Sequence, residues 1–339
     1  SGFETFDADW AASQIPAAPE GGAVAAVAPV LDCPTAWTLD DLQRLLRAPV
    51  EVFFRNRLQV TLDQLDDLAE PDEPFALNAL QQHLVGADLL RNDNRINSLA
   101  RLKGSGQLPL AAFGERTGQA LMAVAEQVRA RRAPWLAQYP QPLAAQAVDL
   151  SFGDGTQLAG VLDGFHSHTG HPADACLQLA ERTGAVLQGK KGAGGARGHV
   201  LMVLWVRHLA ACAIGLRLTS VQLGVDGQVV LHPMAAQVAH EVLSRLLQVL
   251  ARAWAAPLPV APKTAWAFLQ SQAANAQLPP DKTPKDPHDA AQVVFESSQF
   301  GGEWDQSAYL QRAFVSYADV REALPELAHA LYGDLFNQV

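Results

Sequence analysis

Apolar positions along the chain change period twice, and the changes mark out its elements. Leu39, Leu42, Leu45 and Leu46 recur at the spacing of one helix face. Thr38 before Asp40 and Asp41 supplies an N-cap with acids in the first turn. Pro49 ends that helix and can open the next at its first position, where Val52, Phe53, Phe54 and Leu58 continue the apolar face. Pro71 to Pro74 reads as a turn. A helix is predicted over 75–90, carrying Phe75, Leu80, Leu84 and Leu89, followed by a polar stretch over 91–97. Gly104-Ser105-Gly106 and Pro109 break the chain before a long helix from about Phe113 to Arg132, with Leu121, Val124 and Val128 on its face.

From Ala147 the period becomes two. Val148, Leu150 and Phe152 alternate with polar neighbours, and Gly153-Asp154-Gly155 reads as a hairpin turn. A second strand is predicted from Leu158 to Phe165. A third runs from Cys176 to Arg182 and is stopped by Thr183-Gly184. The helical period then returns over His199 to Gly215. Thr219–Leu223 and Gln228–Leu231 read as another hairpin about Val225-Asp226-Gly227. Met234 to Ala255 is a long amphipathic helix with Val238, Val242, Leu246, Val249 and Leu250. Pro257 to Pro262 breaks it, a helix restarts near Thr264, Leu278 to Pro287 is a proline-rich loop, and Trp304 to Phe336 is mostly helical. Helices, then strands, then helices predict an α/β or α+β domain with a central sheet between helices. Residues 1–30, rich in Ala, Pro and Gly and without period, read as a linker leading into a single domain over 31–339.

Composition narrows this picture. With 49% hydrophobic residues in 339, the chain can bury a substantial core. A net charge of −10 argues against a general DNA-coating protein but leaves room for a local basic groove. Three widely spaced cysteines, Cys33, Cys176 and Cys212, fit a reducing cytoplasm. The most apolar run, Val200 to Leu218, carries Arg207 and His208 at its middle and reads as a core helix. There is no signal-peptide pattern, and the first residue is Ser, so the chain reads as part of something longer.

The stretch that bears on chemistry is Leu158 to Gly184. Metal-dependent nucleases of the restriction-endonuclease type are built on such a hairpin. They carry one acid on the first strand and an Asp/Glu-x-Lys triplet on the next, the carboxylates for Mg²⁺ and the Lys for the attacking water. Here Asp163 stands at the first position. In the register set by Thr183-Gly184, Ala180 takes the second acid's place and Arg182 that of the Lys. Glu181 points to the opposite face of a regular strand, and a forked Arg is not equivalent to Lys. A shifted register over Gln188-Gly189-Lys190 also lacks a carboxylate. His166, His168 and His171, with Asp174 and Cys176, are zinc-type ligands, but Gly170 and Pro172 favour a polar hairpin tip. Lys190 and Lys191 open a Gly/Ala-rich loop that ends near Arg197; it is either an unstructured connection or a contact for a DNA backbone. Arg44, Arg47, Arg55 and Arg57 form a solvated or a phosphate-facing surface, and Arg129, Arg131 and Arg132 suit the end of a helix. Neither a Walker loop nor a Gly-x-Ser-x-Gly elbow is present.

Several blocks in order resemble the C-terminal domain of RecC, the gamma chain of exodeoxyribonuclease V. They are LDDLQRLLRAPVEVFF (39–54), RLQV (57–60), EPF (73–75), GQLP (106–109), AFGE (112–115), LAGVL (158–162), LWVRHLAACA (204–213) and YLQR (309–312). The resemblance implies an α/β, restriction-endonuclease-like (PD-(D/E)XK) nuclease fold with a degenerate active site, its central mixed sheet flanked by helices. It implies a non-catalytic domain without metal or cofactor, acting in double-strand-break repair and recombination by holding RecB and RecD and guiding the split DNA strands. Lys190, Lys191 and Arg197 become the DNA-binding candidates, and Asp163, Ala180 and Arg182 the vestigial catalytic positions. A Cys-Pro that supplies an iron–sulphur ligand in some active relatives is replaced by Arg47-Ala48-Pro49, and a Gln-x-x-x-Tyr pattern expected near Trp205 to Ala211 is missing. Two rivals remain: an active nuclease with migrated ligands using Asp163, Glu181 and Lys190, and a protein-interaction module with no nucleic-acid role.

Overall fold

The expected N-cap at Thr38 is present and is closed from both sides. Its hydroxyl accepts from the Asp41 amide, and the Asp41 carboxylate accepts from the Thr38 amide. This caps α1 (Leu39–Arg47), whose four leucines are all buried. Pro49 opens α2 (Pro49–Glu51), which continues as a π-helical turn over Val52–Arg57. The computed structural model describes residues 32–62, 76–91, 95–189, 195–296 and 301–339. The predicted linker over 1–30, the turn at Pro71–Pro74, Phe75, Lys190 and Lys191 lie outside the described residues.

Two sheets carry the middle of the chain. One has order β1-β4-β3, from β1 (Ala36–Thr38), β3 (Gln146–Ser151) and β4 (Gln157–Leu162). The other has order β2-β5-β6-β7-β8, from β2 (Gln141–Pro142), β5 (Phe165–Ser167), β6 (Ala175–Glu181), β7 (Arg217–Leu223) and β8 (Gln228–Leu231). The strand predicted from Leu158 to Phe165 is therefore two strands in different sheets. Asp163-Gly164 is the joint, and Gly164 supplies it with a φ of 74°. β5 and β6 are antiparallel, with Ser167 opposite Cys176. β6 and β7 are parallel, with Leu177 opposite Thr219, and the crossover between them is α6 (Gly198–Ala213).

The larger sheet is covered on both faces. Leu177, Val221 and Leu223 pack into a core with residues of α3 (Ala79–Arg91), α4 (Arg95–Gly104) and α5 (Ala111–Gln138). Cys176, Leu218 and Leu231 pack into a larger core with α1, α6, α7 (Ala236–Ala255) and α8 (Pro262–Ala276). Period-two alternation thus sends successive residues of β6 into different layers.

Several boundaries differ from the expectation. The helix predicted over 75–90 is described from Ala79, and Leu80 and Leu84 lie exposed; Leu77, Val85, Leu89 and Leu90 are the buried positions. The polar stretch over 91–97 already contains the start of α4. The long helix runs on to Gln138, past Arg132, so its arginines do not end it. They tether other elements instead: Arg129 donates to the Leu89 carbonyl at 2.5 Å, Arg131 to the Val225 carbonyl at 3.3 Å, and Arg132 pairs with Glu181 at 3.4 Å. Val238 is exposed on α7 while Val242, Leu246, Val249 and Leu250 are buried. An unforeseen helix, α9 (Pro287–Phe295), begins where the proline-rich loop ends, with Asp286 as its N-cap.

Candidate functional site

A concavity of about 560 Å³ lies between β6 and α6, and Asp163, Ala180 and Arg182 all line it. Asp163 comes from the joint between the sheets, Ala180 from β6 and Arg182 from the residue just beyond it. Arg207 and His199 come from α6, Gln222 from β7, Arg47 from the end of α1 and His83 from α3. Asp163, Ala180 and Arg182 thus line one concavity.

The joint puts Asp163 on the surface, with 78% of its side chain exposed, while Arg207 is mostly covered at 23%. Arg207 donates through Nη2 to the Asp163 carboxylate at 2.9 Å and to its main-chain carbonyl at 2.7 Å. It also holds buried Gln178: with the amide oxygen turned to the helix, Gln178 accepts from Arg207 Nε at 2.6 Å and Nη2 at 3.1 Å. Gln222 Nε2 donates to the Ala180 carbonyl at 3.1 Å. Arg207, Gln178 and Gln222 thus take up the polar groups around Asp163 and Ala180, while Arg182 Nε is left without a partner.

Glu181, the neighbouring acid on β6, faces the α3–α5 layer, and its carboxylate pairs with Arg132 at 3.4 Å. That is the orientation strand alternation predicts, and it keeps Glu181 from joining Asp163 on one ion.

Arg182 is half-buried, and its Nε is enclosed without a hydrogen-bond partner. Desolvation, then the Arg197 charge, lowers its pKa, against a smaller opposing pull from Asp226. Both Asp226 oxygens accept from backbone, at Val186 and Leu187. His199 at the rim is driven down to about 4, by desolvation first and then by the charges of Lys263, Arg182 and Arg197, so its imidazole is neutral at pH 7.

These residues do not fit a divalent ion. Mg²⁺ needs several hard oxygen ligands, and here one carboxylate is held by Arg207, the other turns away, and the remaining positions hold a methyl group and a guanidinium. Among the described residues no three His, Cys, Asp or Glu side chains are grouped to hold a metal. The His-rich turn disperses its ligands. His168 lies against Tyr139 with ring centroids 4.6 Å apart and the rings tilted by 35°, His171 Nδ1 accepts from the Ala173 amide at 3.2 Å, and Asp174 is bonded by Thr169. His166 lies in β5 and its Nδ1 is buried without a partner.

Of the three basic candidates, Arg197 alone is described. It precedes α6, and its Nε donates to the Leu187 carbonyl at 2.7 Å. Arg197 is not among the residues lining the concavity. Sequence reading missed Arg207, Gln178 and His199. Arg207 was noted only as a charge inside an apolar run; its place on the face of a crossover helix was the signal available.

A family model for the RecC C-terminal domain matches residues 34–273. The chain is also similar to the RecBCD enzyme subunit RecC of Escherichia coli (strain K12), at 30% identity over 247 residues. That alignment covers 70% of the chain and 20% of the relative, so the chain spans about a fifth of the relative's length.

Proposed function

The chain belongs to the RecC C-terminal domain family, and from that premise we propose that it is the non-catalytic, nuclease-like domain of a RecC-type subunit of a RecBCD helicase–nuclease. It acts in cytoplasmic double-strand-break repair and recombination. It holds RecB- and RecD-type subunits and guides unwound DNA strands, Lys190, Lys191 and Arg197 being the basic residues that would meet the DNA backbone. The domain over 31–339 is the unit that carries this role.

One observation carries the non-catalytic reading: of the two acids lining the concavity among the described residues, Asp163 pairs with Arg207, with Ala180 and Arg182 beside it, and Glu181 pairs with Arg132. A β-hairpin followed by a helical crossover to a parallel strand supports the nuclease-like frame. No helix among the described residues is long and apolar enough to cross a membrane, in keeping with a role on DNA.

Co-expression with RecB- and RecD-type subunits tests the scaffolding role. The 339-residue chain is expected to co-purify with at least one of them in 0.15 M salt. Recovery of neither, from a chain that is folded by circular dichroism, would remove the scaffolding claim.

A further inference from the structure

Arginines outnumber unpaired acids along the concavity between β6 and α6. The concavity between β6 and α6 is lined by Arg47, Arg182 and Arg207, with His83 and His199 at its walls. Its two acids, Asp163 and Glu181, are each neutralised by an arginine, Arg207 and Arg132. Arg182 and Arg47 have no ion-pair partner among the described residues; Arg197 adds a further positive charge near Arg182, which the Asp226 charge offsets in part. This positive field stands in a chain of net charge −10, so it is local and focused by the walls of the hollow.

We propose that this concavity is a binding site for a phosphodiester of a single DNA strand, with Arg182 as its main anion contact. The inference rests on the non-catalytic reading, because a divalent ion here would compete for the same space. Four features carry it. A half-buried guanidinium with an enclosed, unpartnered Nε is costly, and an anion on its Nη groups would offset part of that cost. The planar fork of Arg matches two phosphate oxygens, which a Lys in the same place would not. The Thr183-Gly184 turn leaves Arg182 room: a Cβ on Gly184 would come within 2.8 Å of Arg182 Nη2. Finally, a volume of about 560 Å³ lies in the range of ligand-binding clefts and exceeds what one inorganic phosphate fills.

Asp163 sets the strength of the site. Its carboxylate both occupies Arg207 and repels an incoming phosphate, and it is exposed at the rim. Removing its charge therefore strengthens anion binding, whereas a metal-dependent site would lose its ligand with the same change.

Fluorescence anisotropy of the 339-residue chain with a labelled dT12 strand, in EDTA and over a salt series, tests this. Arg182→Gln is expected to weaken binding about tenfold, the loss of one charge-assisted contact, and to lower the salt slope by about 0.7. Asp163→Asn is expected to tighten binding about threefold, the direction Coulomb's law gives for removing a like charge from the rim. A dT12 with an uncharged methylphosphonate backbone is expected not to bind. An affinity and slope unchanged in Arg182→Gln, with wild-type circular dichroism, would overturn the proposal. If that variant does not fold, an unchanged or weakened affinity in Asp163→Asn overturns it. Inorganic phosphate that displaces the strand at its own phosphate concentration would reassign the site to a free anion and overturn the strand claim. Adding Mg²⁺ separates the two readings, since strand cleavage would defeat the non-catalytic premise while leaving the EDTA affinities to judge the site.

Discussion

Arg207 on α6 grips Asp163 twice, at its carboxylate (2.9 Å) and at its carbonyl oxygen (2.7 Å). The two partners are unequal. Asp163 is exposed, so its half of the pair is screened and adds little. Arg207 also satisfies Gln178, which is buried. Asp163→Ala is expected to change unfolding stability by about 1 kcal/mol or less. Arg207→Ala is expected to cost about 1–3 kcal/mol, because a buried amide is orphaned. Urea unfolding of both variants measures the difference.

Stability falls with acid through His208. The ring is fully buried on α6. Its Nε2 lies 3.1 Å from the His232 carbonyl, which can only accept, so Nε2 carries the proton and Nδ1 accepts from Ser220 Oγ at 2.9 Å. Burial, with the nearby His232 charge, holds it to about 4, below the ordinary 6.5, against an opposing pull from the His232 carbonyl. The unfolded chain then binds more protons between these values. The stabilisation is complete above pH 6.5 and is lost as the pH falls towards 4, by an amount on the order of 3 kcal/mol. Urea midpoints from pH 7.5 to 4 in wild type and His208→Gln check this. The variant is less stable at pH 7 and has the shallower slope; parallel slopes would refute the assignment.

Close packing of α3 on the end of β6 has no slack. A Cβ at Gly86 would overlap the Thr183 hydroxyl. Gly86→Ala is therefore expected to destabilise by about 1–3 kcal/mol despite the better helix propensity of Ala. Thr183→Gly in the same chain should recover part of the loss, a coupling that a double-mutant cycle reads directly.

Glu303 is a buried acid that sequence reading passed over. Its carboxylate accepts from the Lys263 amide at 3.0 Å, the Thr264 amide at 2.8 Å and the Thr264 hydroxyl at 2.9 Å, capping the start of α8. Burial raises its pKa while these bonds pull the other way. Glu303→Ala is expected to cost about 1–3 kcal/mol, with two helix amides left without a partner. Glu326 pairs with Arg252 at 2.6 Å on an exposed surface, and Glu326→Ala should stay within about 1 kcal/mol. Paired thermal melts of these variants separate a buried cap from a surface ion pair.

The larger elements were legible because their signals are local. The Thr38 cap, the leucines of α1, the Gly155 and Asp226-Gly227 turns and the long α7 each rest on spacing within a few residues. The split of β6 between two faces was legible for the same reason: strand alternation turns Glu181, which pairs with Arg132, away from Ala180. What escaped depends on contacts far apart in sequence. Asp163-Gly164 looks like the end of one strand until β4 and β5 separate into two sheets. The arginines near 130 look like a helix terminus until Leu89, Glu181 and Val225 are brought to them. Leu80 and Leu84 fit a helical face, but the neighbouring face with Val85 and Leu89 is the one that meets the sheet. Arg207 is 44 residues from Asp163, and no local pattern announces that pair.

The central claim is that this hollow kept its shape and gave up its metal. Incubation of the chain with linear DNA and Mg²⁺ or Mn²⁺, beside Asp163→Ala, tests it most directly. The account predicts no cleavage above background by either protein. Metal-dependent cleavage by the wild type that Asp163→Ala abolishes would contradict it.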